Sequence, residues 1–232
     1  NVKDEEICAV VPVADFKQGF LLTATRNGIV KKTALSAYKN VRRDGIIALK
    51  CGEGDHLIGA TITSGNQDVM LVTRQGKAAR FHESEMRAMG RVSGGVKGIR
   101  LRPGDEVSQL VVPAEDAGDS TLLTVCEHGY GKRTLIRDYP TKHRGGMGVI
   151  DIQTSKRNGD VVACIVVEET DQVMMITRGG QMIRTPVAGV TIIGRNTGGV
   201  RLFSMADGDN VIGMTIVMDD DVDVVDTDAD AE

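Results

Sequence analysis

The sequence predicts an all-β fold, a β-propeller of about four repeats, each a four-stranded antiparallel blade. Three observations predict it: a repeat of close to fifty residues, glycines at fixed places within it, and apolar runs of strand length. RNGIVKKT (26–33), RQGKAARF (74–81), EHGYGKRT (127–134) and RGGQMIRT (178–185) align without gaps. They put Gly28, Gly76, Gly129 and Gly180 in one column, at intervals of 48, 53 and 51 residues. A fixed period of this size is the signature of propellers and solenoids.

Each repeat opens on an apolar run, LLTAT (21–25), MLVT (70–73), LLTV (122–125) or VMMIT (173–177). The anchor glycine then turns the chain into a basic strand. A longer polar connection follows, with glycine turns at Gly45, Gly94 and Gly95, Gly145 and Gly146, and Gly198 and Gly199, leading to a third strand. Last comes Gly-Asp (54–55, 104–105, 159–160, 208–209) and a fourth strand, LIGATI, VSQLVV, VVACIVV or VIGMTI. Each repeat thus predicts its own four-stranded sheet. One such sheet cannot bury both faces, so neighbours must stack radially. The expected blades are residues 15–66, 67–118, 119–170 and 171–218. EEICAVVPV (5–13) matches EVSQLVVP (106–113), so residues 1–14 read as the last strand of a preceding or ring-closing blade. A propeller of the WD type would carry Trp-Asp and Gly-His pairs, and the chain has no Trp.

The 232 residues can bury a large core, as one domain or two, and 28 glycines against 5 prolines suit many tight turns. No stretch approaches the roughly 20 apolar residues of a membrane helix, and residues 1–6 lack the form of a secretory signal, which predicts a cytoplasmic protein. Cys8, Cys51, Cys126 and Cys164 stand far apart with no C-x-x-C, so buried reduced thiols are expected rather than zinc. The net charge of -4 is uneven. Residues 219–232 hold eight acidic residues and no basic one, reading as a disordered acidic tail on a mildly basic body. That tail either solubilises the chain or competes for its basic surface.

Four residues after each anchor glycine stands a cation: Lys32, Arg80, Arg133 and Arg184, with Lys31 and Lys132 beside two of them. Units related by rotation place one register at one radius, so these predict an arc of positive charge. A second set surrounds the glycine turns: Arg42, Arg43, Arg91, Lys97, Lys142, Arg144, Arg195 and Arg201. Such an arc suits a polyanion, because phosphate neutralisation releases counterions and positions DNA without reading bases. The same cations could instead protect exposed strand edges.

MRAMGRVSGGVKGIRL (86–101), EHGYGKRTLIRDYPTKHRGG (127–146) and IIGRNTGGV (192–200) resemble the C-terminal domain family of the bacterial DNA gyrase A protein, over about residues 4–218. The resemblance implies a β-pinwheel whose blades exchange a strand and whose rim wraps double-stranded DNA. It also implies a parent ATP-dependent type II topoisomerase that introduces negative supercoils, with the gyrase B protein and the N-terminal part of the gyrase A protein as partners. The family's Q-R-R-G-G-x-G box is absent as such. The nearest string is KHRGGMG (142–148), which matches it at Arg144, Gly145, Gly146 and Gly148. The related topoisomerase IV domain is the alternative within this class.

No Ser-His-Asp order, phosphate-binding loop or H-E-x-x-H is present, and no cofactor or catalytic residue is expected in this chain. The resemblance places a cleavage tyrosine and magnesium-binding carboxylates in other regions of the parent. One aspartate per Gly-Asp turn is too few ligands for calcium and suits a hydrogen-bonded turn. A propeller binding an acidic protein is the competing class, distinguished from DNA wrapping by a weak dependence on salt and duplex length.

Overall fold

The anchor glycines close four equivalent hairpins. In the computed structural model, which describes residues 7–117 and 119–217, Gly28, Gly76, Gly129 and Gly180 adopt φ of 74 to 84° and each donates its N–H to the carbonyl three residues earlier. This left-handed conformation favours glycine. In three of the hairpins a threonine hydroxyl also accepts the amide four residues on: Thr25 from Ile29, Thr73 from Lys77 and Thr177 from Gln181.

The hairpins are β1 (Phe20–Thr25) with β2 (Ile29–Ala34), β4 (Asp68–Thr73) with β5 (Lys77–His82), β8 (Thr121–Cys126) with β9 (Tyr130–Leu135), and β12 (Gln172–Thr177) with β13 (Met182–Pro186). The inner strands are β3 (Leu57–Thr63), β7 (Val107–Val111), β11 (Val161–Val167) and β15 (Val211–Val217), and each pairs with its own hairpin. The outermost strands are short: β6 (Val96–Lys97), β10 (Val149–Ile150) and β14 (Val200–Arg201). The resulting sheets run β3-β1-β2-β6, β10-β5-β4-β7, β11-β8-β9-β14 and β13-β12-β15, four antiparallel blades of a β-propeller.

Each outermost strand belongs to the next repeat. β6 of the second repeat pairs with β2 of the first, β10 of the third with β5, and β14 of the fourth with β9. This corrects the expectation that each repeat builds all four of its own strands: the connection after the basic strand crosses to the neighbouring sheet. It agrees with the exchange that the family resemblance implied. Among the described residues the fourth blade has three strands. Residues 7–13 form no strand, so the described part of the expected first strand is not one; residues 1–6 and the tail from 218 lie outside the described residues.

The core lies between blades. One apolar cluster joins Leu22 and Val30 of the first blade to Leu71 and Phe81 of the second. The next joins Met70 to Leu122 and Ile152, and the last joins Leu123 and Val125 to Met175 and Val187. A hairpin with a blade on either side has no solvent face, which explains why β8 is buried throughout. On the fourth blade, Ile176 is 39% exposed and Met182 61%, whereas their counterparts Val125 and Ala78 are at most 1% exposed.

Asp55, Asp105 and Asp209 each accept two backbone N–H groups across the hairpin end, as turn aspartates should. In the third repeat the register slips by one. Val161 faces Cys126 as Val107 faces Thr73, so Gly159 stands where the aspartate does and Asp160 is left to pair with Arg74 at 3.0 Å. Among the cysteines, Cys126 and Cys164 are buried free thiols, as expected, but Cys8 is exposed and Cys51 only half-buried.

Candidate nucleic-acid interface

The in-register cations do not form a surface arc. Lys32 is 6% exposed, and its Nζ donates to the Glu83 carbonyl at 2.9 Å and lies 3.6 Å from the Glu83 carboxylate. Arg80 Nη1 donates to the carbonyls of Ile136 (2.8 Å) and Tyr139 (3.1 Å), while Nη2 meets Asp68 at 2.7 Å. Arg133 is 4% exposed and donates to the Val190 carbonyl at 2.7 Å and to Glu169 at 2.6 Å. Each of the three thus reaches a short 3-10 turn or the residue that follows it in the following repeat (Glu83–Glu85, Ile136–Asp138, Val187–Gly189). They are clasps between blades. Arg184 of the fourth blade is exposed and donates to Gln172 within its own blade at 2.7 Å.

Lys31 and Lys132 are likewise interior. Lys31 Nζ donates to the carbonyls of Ala48 (2.6 Å), Arg91 and Ser93 (3.3 Å). Lys132 donates to Thr134 Oγ1 at 2.6 Å and lies 3.8 Å from Asp151. Burial lowers the pKa of both lysines. Asp151 in turn accepts from Thr124 and Tyr139, and desolvation raises its pKa despite Lys132. The crossing connections cover these charges, and they persist inside because fixed acceptors such as the Ala48, Ser93 and Gly194 carbonyls receive them.

The second set occupies the connections that run to the outermost strands. Arg42, Arg43, Lys97, Lys142 and Arg201 are exposed. Arg91, Arg144 and Arg195 are half-buried and share one column, four residues before Gly95, Gly148 and Gly199. They reach back to the preceding repeat: Arg91 to the Ile47 carbonyl (2.9 Å), Arg144 to Lys97 (3.0 Å), and Arg195 to Ile150 (2.8 Å). Arg43 occupies the same column in the first repeat, with Ile47 at the glycine position.

That column also corrects the glycine alignment. Gly148, not Gly145 or Gly146, is the counterpart of Gly95 and Gly199. A Cβ on any of the three would sit 2.5 to 2.7 Å from a backbone oxygen of the preceding blade. The box-like loop is therefore matched at Arg144 and Gly148 by a repeated structural need. Glu85 fastens it further, accepting from the Arg144 amide at 3.0 Å and contacting His143 Nδ1 at 3.1 Å. The Arg144 amide is the largest influence holding the Glu85 carboxyl below its ordinary range.

The four aligned connections, residues 39–50, 87–98, 140–151 and 191–202, contain 11 of the 28 Lys and Arg but only two of the 32 Asp and Glu. One of those two, Asp151, is buried. These four connections are thus positive and the remainder of the chain, taken together, negative. Lys39, Lys50 and Arg87 belong to this band and were missed by the in-register reading; Lys39 and Arg87 share a column, directly after the buried Tyr38 and Met86.

The family of the DNA gyrase C-terminal domain, beta-propeller, matches residues 19–64, 67–113, 120–168 and 171–218, the four repeats in turn. The chain belongs to the DNA gyrase C-terminal domain family. It is 46% identical over 229 residues to the DNA gyrase A protein of Escherichia coli (strain K12), covering 97% of this chain and 26% of that protein. It is 44% identical to the DNA gyrase A protein of Deinococcus deserti, covering 90% and 26%. The chain therefore spans about a quarter of the length of these relatives. Among solved structures it is similar to a C-terminal domain of DNA topoisomerase IV, with a TM-score of 0.86 and 26% identity over 94% of this chain and 68% of that one. It is also similar to a DNA gyrase A C-terminal domain, with a TM-score of 0.79 and 25% identity over 89% and 68%. Within this gyrase-family fold no described helix is long and apolar enough to cross a membrane.

Proposed function

We propose that this gyrase-family chain binds double-stranded DNA along its rim through phosphate contacts and bends it across successive blades in one handedness. The charge segregation carries this reading: 11 basic against two acidic residues in the four rim connections, on a chain of net charge -4. Phosphate neutralisation by such a band is favourable and strongly salt-dependent. Curving 20 to 30 bp by 40 to 90° costs on the order of 1 to 6 kcal/mol, so contacts must be spread over several blades. The exposed members, Arg42, Arg43, Lys97, Lys142 and Arg201, supply them, while Arg91, Arg144 and Arg195 hold the connections in place.

In the longer parent this module serves ATP-dependent negative supercoiling in the bacterial cytoplasm, alongside the gyrase B protein and the N-terminal part of the gyrase A protein. The cleavage chemistry belongs to other regions of that parent. The test is ligation of relaxed plasmid in the presence of the purified chain. A shift in linking number is expected. Binding without a shift would reject chiral wrapping and favour a topoisomerase IV-type role, a second reading supported by the TM-score of 0.86 to that enzyme's domain and by the degenerate box at 142–148.

A further inference from the structure

One rim position gathers two arginines on a single ring. Tyr130 opens β9, and Arg201 of β14 faces it directly in the strand pairing. The Arg201 guanidinium carbon lies 5.3 Å from the ring centroid, and its Nη2 and Nε donate to the phenol oxygen at 3.0 and 3.3 Å. Arg157, just before β11, brings its guanidinium carbon to 4.9 Å from the same centroid. Its Nη2 lies 3.4 and 3.5 Å from the carbonyls of Gly198 and Gly199. Both arginines are exposed. Among the described residues neither has a carboxylate within ion-pair distance, whereas Arg26, Arg74, Arg80, Arg133 and Arg137 all do.

A guanidinium stacked on a ring keeps in-plane N–H groups for an oxyanion, and stacking reduces the rotamer freedom lost on binding. Two such groups at one place suit the paired non-bridging oxygens of a phosphodiester. The strand register repeats the position: Lys97 faces Ile29 on the first blade, and Lys77 faces Ile150 on the second. Each outer strand pair therefore offers one cation to the same track, and the third adds a second.

We propose that Arg157 and Arg201 form a phosphodiester clamp on the rim, with Tyr130 as its positioning residue. The clamp rests on the DNA-binding reading above. It is tested by measuring affinity of the full chain for a duplex spanning several blades, as a function of monovalent salt. For the double variant Arg157→Gln, Arg201→Gln, affinity should fall about tenfold or more. The slope of log affinity against log salt should flatten by about 0.9, one phosphate's worth of counterion release.

Tyr130→Leu keeps both charges, so it should weaken binding while leaving the slope close to that of the parent. Tyr130→Phe keeps the ring beneath both guanidiniums but removes the phenol oxygen that Arg201 donates to, so it should restore only part of the affinity. The control removes equal charge from paired arginines, Arg26→Gln with Arg137→Gln, which already face Glu106 and Asp119. Clamp variants that match this control in affinity and slope, with wild-type binding still steeply salt-dependent, would overturn the clamp but not the DNA-binding reading. Wild-type binding indifferent to salt would sink that reading itself. Unchanged melting of the arginine variants separates either outcome from misfolding.

Discussion

Arg80 and Ile136 are 56 positions apart, yet the guanidinium of one donates to the carbonyl of the other at 2.8 Å across the boundary between the second and third blades. Lys32 with Glu83, and Arg133 with Val190, repeat the contact at the boundaries on either side. The column read as a polyanion track is therefore a set of mortices.

Arg80→Ala should destabilise the fold by about 2–4 kcal/mol, because it strips two carbonyls of a donor and leaves Asp68 without its ion-pair partner. Arg184→Ala, in the same column but exposed, should cost less than about 1 kcal/mol. Denaturant unfolding of the two variants checks the contrast. Equal losses would mean that the column's role does not depend on burial between blades.

Gly148→Ala combines φ of +68° with a Cβ 2.5 Å from the Ala78 carbonyl oxygen. A loss above about 2 kcal/mol is expected, since left-handed strain alone accounts for roughly 1–2 kcal/mol. Gly180→Ala has φ of +84° and nothing within 4 Å of the new atom, so strain is its only cost. Thermal melts of the pair measure the difference.

Glu85 gives acidification a predictable effect. Its carboxyl is held below 4.5 in the folded chain, so its contribution is fully present above that pH and disappears as pH falls through the folded value. Stability measured down through this window should decline more steeply for wild type than for Glu85→Gln. Parallel curves would remove Glu85 from the account of the 142–148 loop.

Thiol reactivity should divide the cysteines. Burial is the main reason that Cys126 is pushed up to about 12, and Cys164 is also raised by burial. A thiol reagent at pH 8 should modify the exposed Cys8 in the native chain and reach Cys126 and Cys164 only on unfolding. Mass mapping of the adducts would reveal early modification of either buried thiol, which would mean the third blade opens readily.

Removing residues 219–232 deletes eight negative charges and no positive ones. DNA affinity at moderate salt should rise as a result, with the largest gain at low ionic strength. An affinity that does not move would leave those charges with a solubilising role alone.

The repeat, the opening apolar runs and the turn glycines were legible because each is a local demand: a left-handed turn requires glycine wherever it occurs. What the period could not tell was which face a residue meets. Lys32 and Arg80 share a column whether that column is wet or dry, and only the packing of the following blade against β2 and β5 puts it inside. The strand exchange was equally hidden, since Val96 and Lys97 look the same whether they pair with their own hairpin or with Ile29 and Val30. The register slip at Gly159 was missed because Gly-Asp remained intact in the sequence, while Asp160 stands one residue before the paired Val161 where Asp105 stands two before Val107; the bulge itself recurs in all four blades.

Borrowed outer strands make the repeats interdependent in inheritance as well as in space. Excising residues 67–118 would take β6 away from the first hairpin and offer β10 in its place, so a shortened protein could survive only where the two lent segments are interchangeable. Changes in blade number should therefore be tolerated in whole periods that cut at matching points of the connection, and a cut made anywhere else would leave one blade short of an edge and another with a strand that has nowhere to go.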